Sequence, residues 1–235
     1  MKKPKKIIAI ICARKNSKGL RHKNLKKLNG KPLIFHTIKA AKNTKKIKDI
    51  YVSTDSIEIA KIAKRFGAKV PFLRPKKLAT DNIKTDQVLK HALLKIENEI
   101  DEKMDYVVYL QITEPLRPKN IITKCINKIL SHKLDTVFAA KPYKKNIWFK
   151  KKNQFKRLNH FEEHGLPRQK KKLLFREDTG VACVSKAKII RSGSRMGKKV
   201  DIITYDHEFD YIDIHNKNDL LIANFIFKKK LFKNS

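Results

Sequence analysis

The stretch IIAIICARKNSKGLRHKN, residues 7–24, decides how the rest of the chain is read. A short apolar run passes through Cys12 and Ala13 into a loop that packs Arg14, Lys15, Ser17, Lys18, Gly19, Arg21, Lys23 and Asn24 together. An apolar run bounded in this way is a buried strand opening onto a loop. In an open α/β sheet, ligands sit in the crevice beyond the carboxyl ends of the strands, so cations and a Gly at this place predict a polyphosphate site. A nucleotide is the natural occupant. Gly19 allows close backbone approach or positive φ, Ser17 supplies a hydroxyl, and Lys18 and Lys23 supply point charges. The spacing matches neither the P-loop pattern G-x-x-x-x-G-K-S/T nor the dinucleotide pattern G-x-G-x-x-G. The competing reading is a solvated basic turn in a lysine-rich protein.

Further along, the pattern alternates. Pro32 to Ala41 reads as a helix with Pro in its first turn, Asp49 to Asp55 as a buried strand with a polar tip, and Ile57 to Phe66 as a helix closed by Gly67. Val70 to Leu73 reads as a short strand, Thr85 to Ile100 as a helix, and Asp105 to Leu110 as a central strand ending at Gln111. The helix Lys119 to His132 and the strand Thr136 to Ala140 continue the series. Alternation of this kind marks a largely parallel sheet. Residues 141–172 change character, with the only Trp at 148, β-like pieces at 147–149 and 155–158, and many cations. This segment is predicted to be an insertion into a single domain spanning residues 1–235. Val200 to Tyr205 is a late strand, Tyr211 to His215 a strand-like run, and Asn218 to Lys229 a terminal helix.

A length of 235 residues suits one sizeable α/β domain, and 41% apolar content agrees with a globular protein. The formal net charge of +35 would suggest nucleic acid, but the excess is mostly lysine spread from Lys2 to Lys233. No helix-turn-helix, zinc-finger or RRM pattern accompanies it, so no specific nucleic-acid partner is expected, only nonspecific affinity for polyanions. Cys12, Cys125 and Cys183 lie far apart without a C-x-x-C pair, which argues against a disulfide framework and a cysteine zinc site. The apolar run after the basic start lasts only seven residues before Arg14, too short for a membrane span, and predicts a cytoplasmic protein.

Asp206, Glu208, Asp210, Asp213 and Asp219 gather where acid is otherwise scarce. If residues 211–215 form a strand, Asp213 and His215 face the same side and can bind a metal. Surface acids balancing lysines and a helix N-terminus are the plain alternative.

The run Ala13-Arg14-x-x-Ser17-Lys18-Gly19-x-x-x-Lys23-Asn24, followed by Asn29-Gly30-Lys31-Pro32-Leu33, resembles the signature of acylneuraminate cytidylyltransferases, the CMP-sialic acid synthetase family. The similarity extends over nearly the whole chain. It implies a Rossmann-like nucleotidyltransferase fold, that of nucleotide-diphospho-sugar transferases, and transfer of CMP from CTP to a 3-deoxy sugar acid with release of pyrophosphate. It also implies Mg²⁺ and a homodimer formed through the 141–172 insertion. By position, Arg14, Ser17, Lys18, Lys23 and Asn24 would hold the triphosphate, with Arg14, Lys18 and Lys23 stabilising charge during transfer. Arg74 and Thr85 would contact the cytidine end, and Gln111 and Arg168 the sugar acid. Asp213 and His215 match the metal-holding I-D-I-D of the family. Four departures stand out: Cys12 for Pro, Glu114 for Ser in Q-P-T-S-P-L-R, Thr179 for Asn before Gly180, and His215 for the second Asp. An imidazole favours a softer ion such as Mn²⁺, or leaves Asp213 to hold Mg²⁺ almost alone. An ionised Glu114 would repel a sugar carboxylate unless it pairs with Arg117 or Lys119 or receives an amino substituent, which points away from plain N-acetylneuraminate towards a legionaminic or pseudaminic relative. The rivals are 3-deoxy-octulosonate activation and a non-catalytic nucleotide- or nucleic-acid-binding protein on the same fold.

Overall fold

The computed structural model describes residues 4–17, 19–159, 165–167, 169–206, 209 and 212–231. Its centre is strand β1 (Ile7–Cys12), which pairs in parallel with β4 (Asp49–Ser53) on one side and β5 (Tyr106–Leu110) on the other. Ile10 lies opposite Tyr51 and Tyr109 in the two registers. Side chains alternate across a strand, so both faces of β1 need a cover. Ile7, Ala9 and Ile11 pack with one apolar cluster, Ile8 and Ile10 with another. The unbroken apolar run is thus the mark of a strand buried on both faces.

Helices supply the two covers. On one face lie α1 (Leu33–Lys42), α2 (Ile57–Arg65), α4 (Ile121–Ser131) and α6 (Lys217–Lys228); on the other lie α3 (Thr85–Glu99) and α5 (Ala187–Ser192). Gly67, at φ +88°, follows the C-cap of α2 as expected of a left-handed stop.

The remaining strands of the main sheet are β6 (Thr136–Tyr143), β9 (Leu174–Glu177), β10 (Cys183–Lys186) and β11 (Val200–Thr204). Strand order is β11-β6-β10-β5-β1-β4, with β9 paired to β6. The strands β1, β4, β5, β6 and β11 share one direction, while β9 and β10 run against it. The sheet is therefore mostly parallel, as the alternation predicts. Two small hairpins complete the set: β2 (Lys27–Leu28) with β3 (Lys31–Pro32), and β7 (Trp148–Lys151) with β8 (Gln154–Arg157). No helix among the described residues is long and apolar enough to cross a membrane.

Several expectations need correction. Val70–Leu73 is not a strand: only a bridge between Tyr51 and Lys69 forms, because Pro71 has no N–H to continue a ladder. Pro32 pairs with Lys27 and caps α1 instead of sitting in its first turn. The strand β6 runs to Tyr143, since its last residues pair with β9, so the insertion expected from residue 141 begins within a strand of the main sheet. The short helix α5, ended by Gly193 at φ +98°, had no signal in the periodicity.

The core at β1 should be the least forgiving part of the fold. Ile10 is fully buried, and its truncation leaves a cavity that neighbours on a double-covered strand do little to fill. Ile10→Ala is expected to cost about 2–5 kcal/mol in urea unfolding; a loss below about 1 kcal/mol would contradict this account of β1.

Candidate active site

The parallel strands carry their polar tips to one edge, and the loops beyond them are tied together by named contacts. After β1 the chain is anchored by Ala13 N donating to Ser53 O at 2.9 Å and by Lys15 N donating to Asp55 Oδ1 at 2.7 Å. Asn24, buried, donates from Nδ2 to Arg14 O at 2.8 Å. Its amide therefore shapes the loop. Lys23 Nζ reaches Ile214 O at 2.8 Å across 191 residues of chain. Gly19 is needed for space, not for a positive φ: a Cβ there would lie 2.3 Å from His215 O. The first loop thus packs directly on the last.

A cleft of about 460 Å³ results, lined by Arg14, Ser17, Lys23, Asn24, Arg74, Thr85, Gln111, Asp213 and His215 among others. Lys18 and Arg168, expected to hold the triphosphate and the sugar acid, lie outside the described residues, as do Glu208 and Asp210. Every other predicted site residue faces this one cleft. Arg74 is buried, with Nε donating to Ser53 Oγ at 3.1 Å and Nη2 to Ser53 O, which fixes the tip of β4. Arg14 Nη1 pairs with Asp81 Oδ1 at the cleft wall. Burial lowers the Lys23 pKa, while Asp213 and Asp219 raise it and Arg14 lowers it. A partly desolvated ammonium beside a guanidinium is suited to phosphate oxygens.

Gln111 sits at the end of β5, with N donating to Gly180 O at 2.9 Å. A Cβ at position 180 would lie 2.2 Å from Gln111 Oε1, so Gly180 makes room for that side chain. Tyr109, two residues earlier on the same strand, was missed by sequence reasoning; its hydroxyl bonds to the Gln111 and Thr85 side chains and lines the cleft. Its place, same-facing with Gln111 near the carboxyl end of the strand, was the available signal. Asp81, Thr80 and Thr113 line the cleft as well.

Residues 212–215 are extended but form no strand. Their alternation survives because Ile212 and Ile214 are buried and Ile214 N donates to Thr113 O at 2.9 Å. Asp213 and His215 consequently still meet, with Oδ2 and Nε2 2.6 Å apart. Asp219 belongs elsewhere: with Asn216 it forms the capping box of α6 and also accepts from His215 N at 2.7 Å. The acidic gathering is thus in part a helix cap, and among the described residues no three His, Cys, Asp or Glu side chains cluster as a metal cage. Asp213 Oδ1, however, is buried without a hydrogen-bond partner. An orphaned carboxylate oxygen beside a phosphate site fits a hard cation that takes its other ligands from phosphate and water. His215, bonded to the second oxygen, orients that carboxylate.

Glu114 does not pair as its charge predicted. Arg117 is engaged with Val181 O at 2.9 Å, Gly180 O and Thr37 Oγ1 at 3.1 Å, and Gln111 O. Burial, then Asp213, pushes the Glu114 carboxyl up to about 8. At pH 7 it is largely neutral, which removes the expected repulsion of a sugar carboxylate.

The family model for cytidylyltransferases matches residues 8–220. The chain belongs to the cytidylyltransferase family. It is 30% identical over 226 residues to post-translational flagellin modification protein B of Campylobacter coli, covering 95% of this chain and 96% of that one. It is 29% identical over 226 residues to CMP-N,N'-diacetyllegionaminic acid synthase of Campylobacter jejuni, again covering 95% and 96% of the two chains. Among solved structures, the CMP:2-keto-3-deoxy-manno-octonic acid synthetase complexed with CTP superposes with a TM-score of 0.70 at 13% identity, over 96% of this chain and 99% of that one. The fold expected from the sequence is the fold shared with these nucleotidyltransferases.

A titration follows from Glu114. Between about pH 4.5, its ordinary value, and about 8, the folded protein holds a proton that the unfolded chain has lost. Stability therefore falls as pH rises through that window. In EDTA, Glu114→Gln should melt above the wild type at pH 8.5, with the difference shrinking towards pH 4.5. A difference in Tm independent of pH would show that this carboxyl ionises normally.

Proposed function

We propose that this cytidylyltransferase moves CMP from CTP onto the anomeric hydroxyl of a sialic-acid-like nine-carbon 3-deoxy sugar acid of the legionaminic or pseudaminic type, releasing pyrophosphate. The observation that carries this reading is the single cleft where Arg14, Ser17 and Lys23 meet Arg74, Thr85, Gln111 and Asp213. The full-length similarity to a CMP-N,N'-diacetyllegionaminic acid synthase supports the choice of acid.

Arg14 and Lys23 hold the phosphates, and Arg74, Thr85 and Tyr109 frame the opposite wall. The sugar hydroxyl attacks the α-phosphorus as the bond to the leaving pyrophosphate breaks, so positioning and electrostatics do most of the work. A divalent cation held by Asp213, Mg²⁺ in preference to Mn²⁺, would neutralise phosphate charge and lower the pKa of the attacking hydroxyl. Gln111 faces the sugar side, where an amide that both donates and accepts suits the hydroxyl and acylamino substituents of such acids, and the buried Glu114, neutral, adds no charge against the acid's carboxylate. Arg168 supplies the fork for the acid's own carboxylate, and Lys18 joins the phosphate-binding set.

Pyrophosphate release with CTP and a panel of acids tests the reading. Release with a nine-carbon diacetylated acid is expected; release only with 3-deoxy-octulosonate would replace the substrate, and none with any acid would remove the activity. Within that assay, Arg14→Ala and Lys23→Ala should lower turnover by roughly 100-fold or more, because an electrostatic donor in a site is typically worth ~3 kcal/mol. Asp213→Ala should abolish turnover with Mg²⁺, His215→Asp should retain it, and His215→Ala should cost less than Asp213→Ala. Normal turnover by Asp213→Ala would take the cation away from this end of the chain.

The homodimer belongs to the same reading. The β7–β8 hairpin exposes Trp148 (52%), Phe149 (43%) and Phe155 (69%), an apolar patch suited to a second copy of the chain. Light scattering of the wild type at micromolar concentration should give twice the chain mass and Trp148→Glu the mass of one chain. A monomeric wild type would sink the dimer.

A further inference from the structure

On the far face of the sheet, between α1, the start of α4 and the end of α6, lies a second cavity of about 690 Å³, larger than the active-site cleft. Its size falls in the range of small-molecule sites. Aromatic rings form one wall: the centroids of Phe35 and His36 are 5.3 Å apart, as are those of His36 and Phe227. His36 Nε2 lies 2.9 Å from Leu28 O, so the neutral ring donates there. Cations form the other wall. Lys39 lies 5.9 Å from the Phe35 ring centroid, Lys119 borders the cavity, and α4 starts beside it at Asn120, in left-handed conformation and with no side-chain cap.

The decisive residue is Arg117, which lines this cavity and is only 5% exposed. Its guanidinium has five N–H donors. Four are taken, by Val181 O, Thr37 Oγ1, Gln111 O and Gly180 O. All four acceptors are neutral, Glu114 acts on this cation electrostatically without forming an ion pair, and among the described residues the second hydrogen on Nη1 has no acceptor. A buried guanidinium with no ion-pair partner, in a residue that borders a cavity, favours an anion there.

We propose that this cavity is a second ligand site and binds a nucleoside monophosphate, its ring against the Phe35–His36–Phe227 wall and its phosphate towards Arg117, Lys39, Lys119 and the start of α4. Aromatic faces hold bases by stacking without reading them closely. Arg117 carries the occupant's charge to the cleft, because Gln111 O accepts from both Arg117 and Thr37 on this side while the Gln111 side chain faces the substrate.

The test uses CMP as the probe, in equilibrium dialysis on the full chain. In Arg14→Ala/Lys23→Ala, which disables the cleft, one CMP per chain should still bind. Adding Lys39→Glu and Lys119→Glu should weaken that site by at least about tenfold, since each reversed charge now faces the phosphate. Inorganic phosphate should displace CMP only at much higher concentration. The wild type, checked in parallel, should lose the same site on Lys39→Glu/Lys119→Glu with its melting temperature unchanged. The proposal is overturned if Arg14→Ala/Lys23→Ala binds no CMP while folded, if binding survives the charge reversals, or if phosphate competes as well as CMP.

Discussion

The contact between the loop after β1 and the segment before α6 is the constraint on which the rest of the molecule depends. Lys23 donates to Ile214 O, and Gly19 leaves only enough room for His215 O. A charge-assisted bond of this kind contributes about 1.5–3 kcal/mol. Its larger consequence is geometric. The cations that suit a polyphosphate belong to one end of the sequence and the carboxylate that suits a cation to the other, and this contact puts them in one cleft. Each partner is also held from behind: the loop by Asp55 and Asn24, the 212–215 segment by Thr113 O and by the α6 capping box. Neither side has to find its place when a nucleotide arrives, which is the condition for electrostatic preorganisation.

The parts of the fold legible in the sequence were those with a local cause. The strands β1, β4 and β5 are apolar on both faces, and double burial leaves an unbroken run. The polar residues after them mark the edge where a ligand sits. Strand order was not legible, because β10 inserts antiparallel between β5 and β6 through contacts that no short-range period encodes. Residues 212–215 looked like a strand since their alternation is real; what they lack is a neighbouring strand, and a single bond from Ile214 N to Thr113 O takes its place. Asp219 was grouped with the acids near Asp213 because composition does not distinguish an acid that caps a helix from one that faces a site.

Charge acts at two scales here. The surplus of 57 Lys and Arg over 22 Asp and Glu raises the concentration of anions near the surface without choosing among them. Selection falls to the few carboxylates inside. Asp81 holds Arg14 at the wall of the cleft, and Asp178 holds Arg176 through two bonds of 3.0 Å and accepts from Tyr205 Oη at 2.7 Å. Glu114, in the field of Asp178 and Asp213 and short of water, stays protonated. A strongly basic protein therefore keeps acid at and behind the wall of its cleft, with Asp81 and Asp178 paired and Glu114 neutral.

His215 follows from the same economy of negative charge. A second carboxylate at that position would add negative charge beside Asp213, whose field already helps to protonate Glu114. Like charges so close do not all stay ionised. An imidazole adds no negative charge, donates to Asp213 Oδ2, and leaves Oδ1 buried without a partner. On the proposed reading the cation then depends on that single oxygen, while His215 holds the other and fixes the carboxylate's orientation.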